Sequence, residues 1–289
     1  MSLEQNPVSS ARGAYGVKLL GLFRDRRLRA ALVTPPEHWP AVSIERRDGE
    51  AATSGSAFVV EEDWARLELS HGCQAILDRR ERRATLVTPE PLDPDELVHP
   101  ALAYVASVFS HWLGRRAFHA GAFITKGGAW ALLGMRRAGK SSTLGWLASA
   151  GHSILTDDML VLQDSTAFAG PRAIDLAPSA ARYLAVGAEA ALVRAGRRQR
   201  IALEGIEAEV PLRGWIVLSW GNAVEAIRIP PGERLPLLAQ HLHGHRPLNA
   251  RALLELARAP AFELRRPKRL ASLPDAGRAV LELTASCGA

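Results

Sequence analysis

Gly134-Met135-Arg136-Arg137-Ala138-Gly139-Lys140-Ser141 is the stretch whose reading decides the fold of this chain. It fits the pattern G-x-x-x-x-G-K-S, in which backbone N–H groups wrap the phosphates of a nucleotide. The Lys reaches the β and γ phosphates, and the Ser hydroxyl ligates Mg²⁺. The flanks suit that chemistry. Residues 129–133 are a short apolar run that predicts a buried parallel strand, and residues 142–150 predict a helix. That helix would aim its positive end at the same phosphates. Gly134, Arg136, Arg137, Ala138, Gly139, Lys140, Ser141 and Ser142 are therefore the expected nucleotide-binding residues.

Downstream, Gly151 is placed to end the loop helix, and residues 153–156 predict the next strand. That strand delivers Asp157 and Asp158. Parallel neighbours in such a sheet end on one edge, which would set both carboxylates beside the bound phosphates. One can orient Mg²⁺ while the other accepts the proton of an attacking hydroxyl. Adjacent acids on a strand alternate faces, so the two tasks fall to different residues. Upstream, residues 117–125 predict a strand carrying His119, and Lys126-Gly127-Gly128 predicts the hairpin turn into the loop strand. His119 would then sit where it can hydrogen-bond Asp157 and tune it as a base.

Farther out, the first 14 residues predict a flexible tail, and residues 15–94 an antiparallel β-rich lobe. Its strands are expected at 17–23, 30–33, 42–45, 56–60, 64–70, 74–78 and 83–87, with tight turns at Arg46-Arg47-Asp48-Gly49 and His71-Gly72. Residues 95–289 are the expected second domain, opening with one helix over 95–113. The run 194–200 predicts an exposed basic loop, and 215–219, 227–229 and 261–264 predict strands. Helices are expected at 178–183, 235–243, 250–259 and 270–283, the last broken at Leu273-Pro274. His241, His243 and His245 are expected to be exposed at a helix end.

The chain has 289 residues, 47% apolar, with a formal charge of +6. That length supports a full core without staples, and Cys73 and Cys287 have no partners at disulfide or zinc spacing. No hydrophobic leader or run of ~18 apolar residues is present. A cytoplasmic protein is expected, with no membrane partner. The basic balance comes with no nucleic-acid-binding signature and suits a site handling several phosphates or an acidic peptide.

Beyond the loop, His119-Ala120-Gly121, Leu132-Leu133-Gly134, Gly139-Lys140-Ser141-Ser142-Thr143-Leu144 and Gly151-His152-Ser153-Ile154-Leu155-Thr156-Asp157-Asp158 together resemble the catalytic core of the HPr kinase/phosphorylase family. They are most similar to the HPr-kinase-like proteins of peptide-modifying clusters, including lasso-peptide kinases. The resemblance is specific over residues 117–162 and weaker at 174–178, 211–218 and 262–273. It implies an α/β P-loop kinase core related to phosphoenolpyruvate carboxykinase, on a mixed sheet. It also implies ATP and Mg²⁺ as cofactors, transfer to a Ser or Thr of a peptide or small protein, and an oligomer by analogy. Lys140 would bind β/γ phosphates and Ser141 Mg²⁺. Asp157 would be the base paired with His119 and Asp158 the metal-side carboxylate, with those two roles open to exchange. Arg136-Arg137 stands where typical members have Ser-Gly, a departure that suits a clamp on phosphate or on an acidic substrate, provided the backbone there does not need a positive φ. The C-terminal signature that true HPr kinases use for HPr is missing, so HPr is not an expected partner. The alternatives are a small-molecule kinase of the shikimate or gluconate kinase kind, and a non-catalytic nucleotide-gated module that recognises a peptide.

Overall fold

The structure, a computed structural model, describes residues 11–21, 25–50, 58–69, 72–186, 190–194, 196–243 and 250–287. The tail before residue 11, the strand ends expected at Phe23, Ser56 and Ser70, and the expectations at His71 and His245 lie outside these residues.

Strands β1 (Arg12–Ala14), β2 (Val17–Gly21), β3 (Ala41–Asp48), β4 (Phe58–Val60), β5 (Trp64–Glu68), β6 (Gln74–Asp78) and β7 (Arg83–Thr88) form a seven-stranded sheet in the order β1-β2-β3-β7-β6-β5-β4. The expected lobe was antiparallel, but β3 runs parallel to both β2 and β7. A parallel pair needs a crossover, and helix α1 (Arg26–Ala30) lies on the one between β2 and β3. Asp25 starts α1, its carboxylate accepting from the N–H groups of Arg27 at 2.7 Å and Leu28 at 3.3 Å. The strand expected at 30–33 is thus the end of a helix and a single bridge from Val33 to Gly13. Arg46 to Asp48 form no turn, because they continue β3 by pairing with Leu86 to Thr88. Arg12 to Ala14, assigned to the tail, pair with β2.

The helix expected over 95–113 is interrupted. Helix α2 (Pro94–Glu96) and helix α3 (Leu102–Trp112) flank a segment in which His99 is extended, at φ −157° and ψ 127°. Pro100 explains the break, since the residue before a proline is driven out of the helical region. α3 then packs Leu102, Val105, Ala106 and Phe109 against Ala14, Tyr15, Val17, Leu19 and Val42 of the first sheet. Each fully buried Leu, Val or Phe among them stabilises the fold by about 1.5–3 kcal/mol.

The second, ten-stranded sheet carries the loop. Its early elements are β8 (Arg116–Phe118), β9 (Gly121–Thr125), β10 (Gly128–Leu133), helix α4 (Lys140–Ser149), β11 (Ile154–Thr156), β12 (Leu160–Gln163) and β13 (Thr166–Phe168). A separate three-stranded sheet of β14 (Ala173–Leu176), β15 (Ala191–Val193) and β16 (Arg198–Ala202) follows, with helix α5 (Pro178–Tyr183) between its first two strands. The chain then returns through β17 (Glu209–Trp220), β18 (Glu225–Arg228), helix α6 (Pro231–His241), β19 (Leu242–His243), helix α7 (Ala250–Ala257), β20 (Ala261–Arg266) and helix α8 (Leu273–Ser286). Pro274 does not break the last helix, because it falls in its first turn, where no N–H partner is needed.

The order is β11-β9-β10-β17-β13-β12-β8-β19, with β20 beside β17. β17 is the spine, antiparallel to β13 at its start and parallel to β10 and β20 farther along. The strand expected over 117–125 is two strands, since β8 pairs with β12 while β9 pairs with β10 and β11. His119 and Ala120 link them, and His119 N–H donates to His241 O at 2.9 Å. The two-residue turn Lys126-Gly127 seats β9 against β10, so β11 runs in the direction of β10 but with β9 between them. The fold is therefore a mixed α/β architecture. One apolar cluster joins the first sheet, α3 and the second sheet, and another lies between the second sheet and helices α4 and α8. Among the described residues no helix is long and apolar enough to cross a membrane.

Candidate active site

β10 runs straight into the loop, and the loop into α4, which begins at Lys140 rather than at the expected 142. Gly139 has φ +94°, and a side chain there would collide with the guanidinium of Arg266. No side chain caps α4, so its leading amides are available to an anion. Its far end closes as expected on Gly151, with His152 N–H on Leu147 O at 2.9 Å and Gly151 N–H on Ala148 O at 3.0 Å. Arg137 has φ +70°, so the condition under which arginine is unstrained at that position fails. A left-handed non-glycine residue costs about 1–2 kcal/mol.

Lys140 is buried, and its ammonium donates to Gly134 O at 2.7 Å. It also lies 3.2 Å from His119 Nε2. His119 Nδ1 is 3.1 Å from the backbone oxygen of Asp158, so the pair of contacts assigns a neutral imidazole protonated on Nδ1. Burial, followed by the charge of Lys140, holds the His119 pKa below its ordinary value. Burial also lowers the pKa of Lys140, against the raising effect of Asp158 and Asp157.

Asp157 and Asp158 lie just past β11, and Asp158 turns back with φ +69°. That left-handed residue sends the two side chains to different partners. Asp157 Oδ1 accepts from Ser141 Oγ at 3.0 Å. Burial, then the charges of Asp158 and Asp175, push its pKa up to about 7. Asp158 is bound by His99 Nε2 at 3.0 Å and by Arg194 Nη2 at 3.3 Å, with His119 Nδ1 at 3.8 Å. Burial opposes its ionisation, yet the His99 hydrogen bond and the neighbouring His99 and Arg194 hold the carboxyl well below the usual range. The expected His119–Asp157 contact is thus replaced by His119–Asp158, because the β8–β9 link places the imidazole over the second acid.

Among its described residues the Arg194 to Arg200 run is exposed only at Gly196 and Arg197, and Arg198 to Arg200 belong to β16. It turns from β15 into β16, and Arg200 is buried, with Nε on Asp175 Oδ1 at 2.7 Å and Nη2 on Oδ2 at 2.9 Å. Arg200 Nη1 reaches Asp95 O at 2.6 Å, tying the turn to the interrupted helix, and Arg194 Nε ion-pairs with Asp175 at 3.0 Å. Between this turn and the loop lies a cavity of about 1000 Å³. Arg136, Arg137, Gly139, Lys140, Ser141 and Ser142 line one side of it. His99, Asp158, Arg194, Arg197 and Arg198 line the other, with His119 between. Gly134, Ala138 and Asp157 lie behind that surface. The expected residues are therefore brought to one place. His99 and Arg194 were not expected there. Pro100 inside a predicted helix was the one signal for His99, while the pairing of Arg194 with Asp158 leaves no local trace. His241, expected to be exposed, is buried under His119.

No protein-family model matches the chain, and no curated protein matches it. Among solved structures, the HPr(Ser) kinase/phosphatase from Coxiella burnetii is similar over 60% of this chain and 99% of that chain, at 13% identity and a TM-score of 0.29.

Proposed function

We propose that this chain is an ATP-dependent kinase that transfers the γ-phosphate to a Ser or Thr hydroxyl of a peptide or small protein. Its core would be a P-loop unit of the HPr kinase/phosphoenolpyruvate carboxykinase type within residues 95–289, with residues 15–94 as an accessory lobe. The observation that carries the reading is that Lys140 and Ser141 of a G-x-x-x-x-G-K-S loop face Asp158 across one cavity.

Loop amides and Lys140 would hold the β and γ phosphates, with Arg136 and Arg137 alongside. Ser141 and Asp157 fit Mg²⁺. Their oxygens already meet at 3.0 Å, and a cation would favour the ionised form of a carboxyl that burial disfavours. Among the described residues no three metal-ligating side chains converge, but Mg²⁺ keeps waters and takes one or two carboxylates plus phosphate oxygens. Bound there, it would neutralise charge on the phosphates. Asp158 would accept the hydroxyl proton as the acceptor oxygen bonds to γ-phosphorus and ADP leaves with the electron pair of the broken P–O bond. Its depressed pKa keeps it ionised at any working pH, which suits a group that mainly orients the nucleophile in a loose transition state. His99 and Arg194 would hold that carboxylate, and neutral His119 would bridge it to Lys140.

The test is to incubate the purified protein with γ-labelled ATP and Ser- or Thr-containing peptides. Transfer is expected, and Lys140→Ala should lower it by about 10²–10³-fold with the circular dichroism spectrum unchanged. Tight ATP binding with no transfer to any peptide would instead favour the non-catalytic module, and transfer only to small hydroxyl compounds the metabolite kinase.

A further inference from the structure

We propose that the acceptor of this site is acidic, a peptide whose Ser or Thr is flanked by Asp or Glu, gripped by Arg197 and Arg198. The proposal rests on the kinase reading and adds the class of its substrate.

Among the described residues, three interior arginines have firm partners. Arg115 donates to Gly16 O at 2.7 Å, Arg172 to Ile154 O at 2.7 Å, and Arg200 clasps Asp175. Among the described residues, Arg136, Arg137, Arg197 and Arg198 pair with no carboxylate, and all four line the same cavity. The carboxylates on that surface are already engaged. Asp158 is held by His99 and Arg194, and Glu96 Oε1 accepts from the N–H of Arg194 at 3.1 Å. Among the described residues, no carboxylate on the cavity wall lies within ion-pair distance of the four guanidiniums.

They divide into two pairs with different neighbours. Arg136 and Arg137 belong to the loop, where the phosphates of a nucleotide would take their charge. Arg197 on the opposite turn and Arg198 at the start of β16 follow Arg194, which is tied to Asp158 at 3.3 Å. The acceptor hydroxyl must meet Asp158, so residues on that turn face the acceptor's own chain. Arg197 Nε touches only Arg194 O, at 3.4 Å, which leaves its outer donors for a partner. The same cavity is lined by Tyr104, 37% exposed, and by His243, their ring centroids 6.3 Å apart. Aromatic rings and unpaired guanidiniums in one cavity suit an extended acidic segment better than a bare inorganic anion.

The experiment uses the full chain and three peptides of equal length, each with one Ser, flanked by Glu, by Gln or by Lys. Binding is read by fluorescence anisotropy with a non-hydrolysable Mg·ATP analogue present, and transfer from ATP is scored in parallel. The Glu peptide should bind about tenfold tighter than the Gln peptide, as expected of two partly exposed ion pairs, and the Lys peptide weakest. That preference should shrink as salt rises, disappear in the double variant R197Q/R198Q, and reverse in R197E/R198E. Equal binding of all three peptides, or a preference that survives R197Q/R198Q, would overturn the proposal. Selective binding of the Glu peptide without transfer would remove the kinase reading and leave the acidic site standing. Equal transfer to the Glu and Gln peptides, with equal binding, would do the reverse.

Discussion

On the loop side of the cavity, the facing groups come from one short stretch of the chain, Arg136 to Ser142, which ends in the first turn of α4. On the other side they come from His99, Asp158, Arg194 and Arg197, carried by an interrupted helix, a strand end and a hairpin turn. The contrast shows in Asp157 and Asp158. They are covalent neighbours, yet Asp157 joins the loop side through Ser141 and Asp158 the opposite side through His99 and Arg194. The pKa of one carboxyl is raised and that of the other lowered, because partners set ionisation more than position in the chain does.

The sharpest way to break this division is Asp158→Asn. If the opposite wall carries the proton acceptor, kcat should fall by about 10²–10⁴-fold while nucleotide affinity stays with the loop. Steady-state kinetics alongside nucleotide titration would show it, and a variant retaining near-normal kcat would move the base elsewhere.

A smaller effect separates the acids by stability. Asp157 ordinarily ionises at 3.8 but in the fold at about 7, so across that window the folded chain holds a proton the unfolded chain has released. The metal-free protein should therefore lose stability as pH rises from about 4 to about 7, with the full loss present above. Asp158 has the opposite sign, since its depressed carboxyl contributes stability above its ordinary value and loses it only on acidification. Melting temperatures measured against pH should fall more, or rise less, over that window for the native chain than for Asp157→Asn. A slope unchanged by the substitution would contradict the raised carboxyl.

The smallest change tests the loop itself. Arg137→Gly removes a left-handed side chain at a cost of roughly 0.5–1 kcal/mol in unfolded-state freedom, so the net gain should be no more than about 1.5 kcal/mol. In a chain of this size that is a rise in Tm of about 3–6 °C at most. A clear fall in Tm would mean that the Arg137 side chain stabilises the loop by more than its backbone strain costs.

What could be read from residues alone is what local chemistry specifies. The loop between β10 and α4, the Gly151 helix end and the Lys126-Gly127 hairpin each depend on a few consecutive residues with special φ or hydrogen-bonding demands. The elements that went astray depend on partners far along the chain. Arg46 to Asp48 are strand because β7 pairs with them, and the 117–125 strand divides because its halves pair with different neighbours. Pro100 lay in view inside a predicted helix, but only the fold shows that the break turns His99 toward Asp158.

By itself, then, the sequence determined that a loop of the pattern G-x-x-x-x-G-K-S joins a buried strand to a helix, with two acids one helix length beyond it. The tertiary structure alone decided which acid serves which wall. A left-handed turn at Asp158 and ion pairs bridging residues 95 to 200 arise from contacts between distant segments, and no local propensity encodes them.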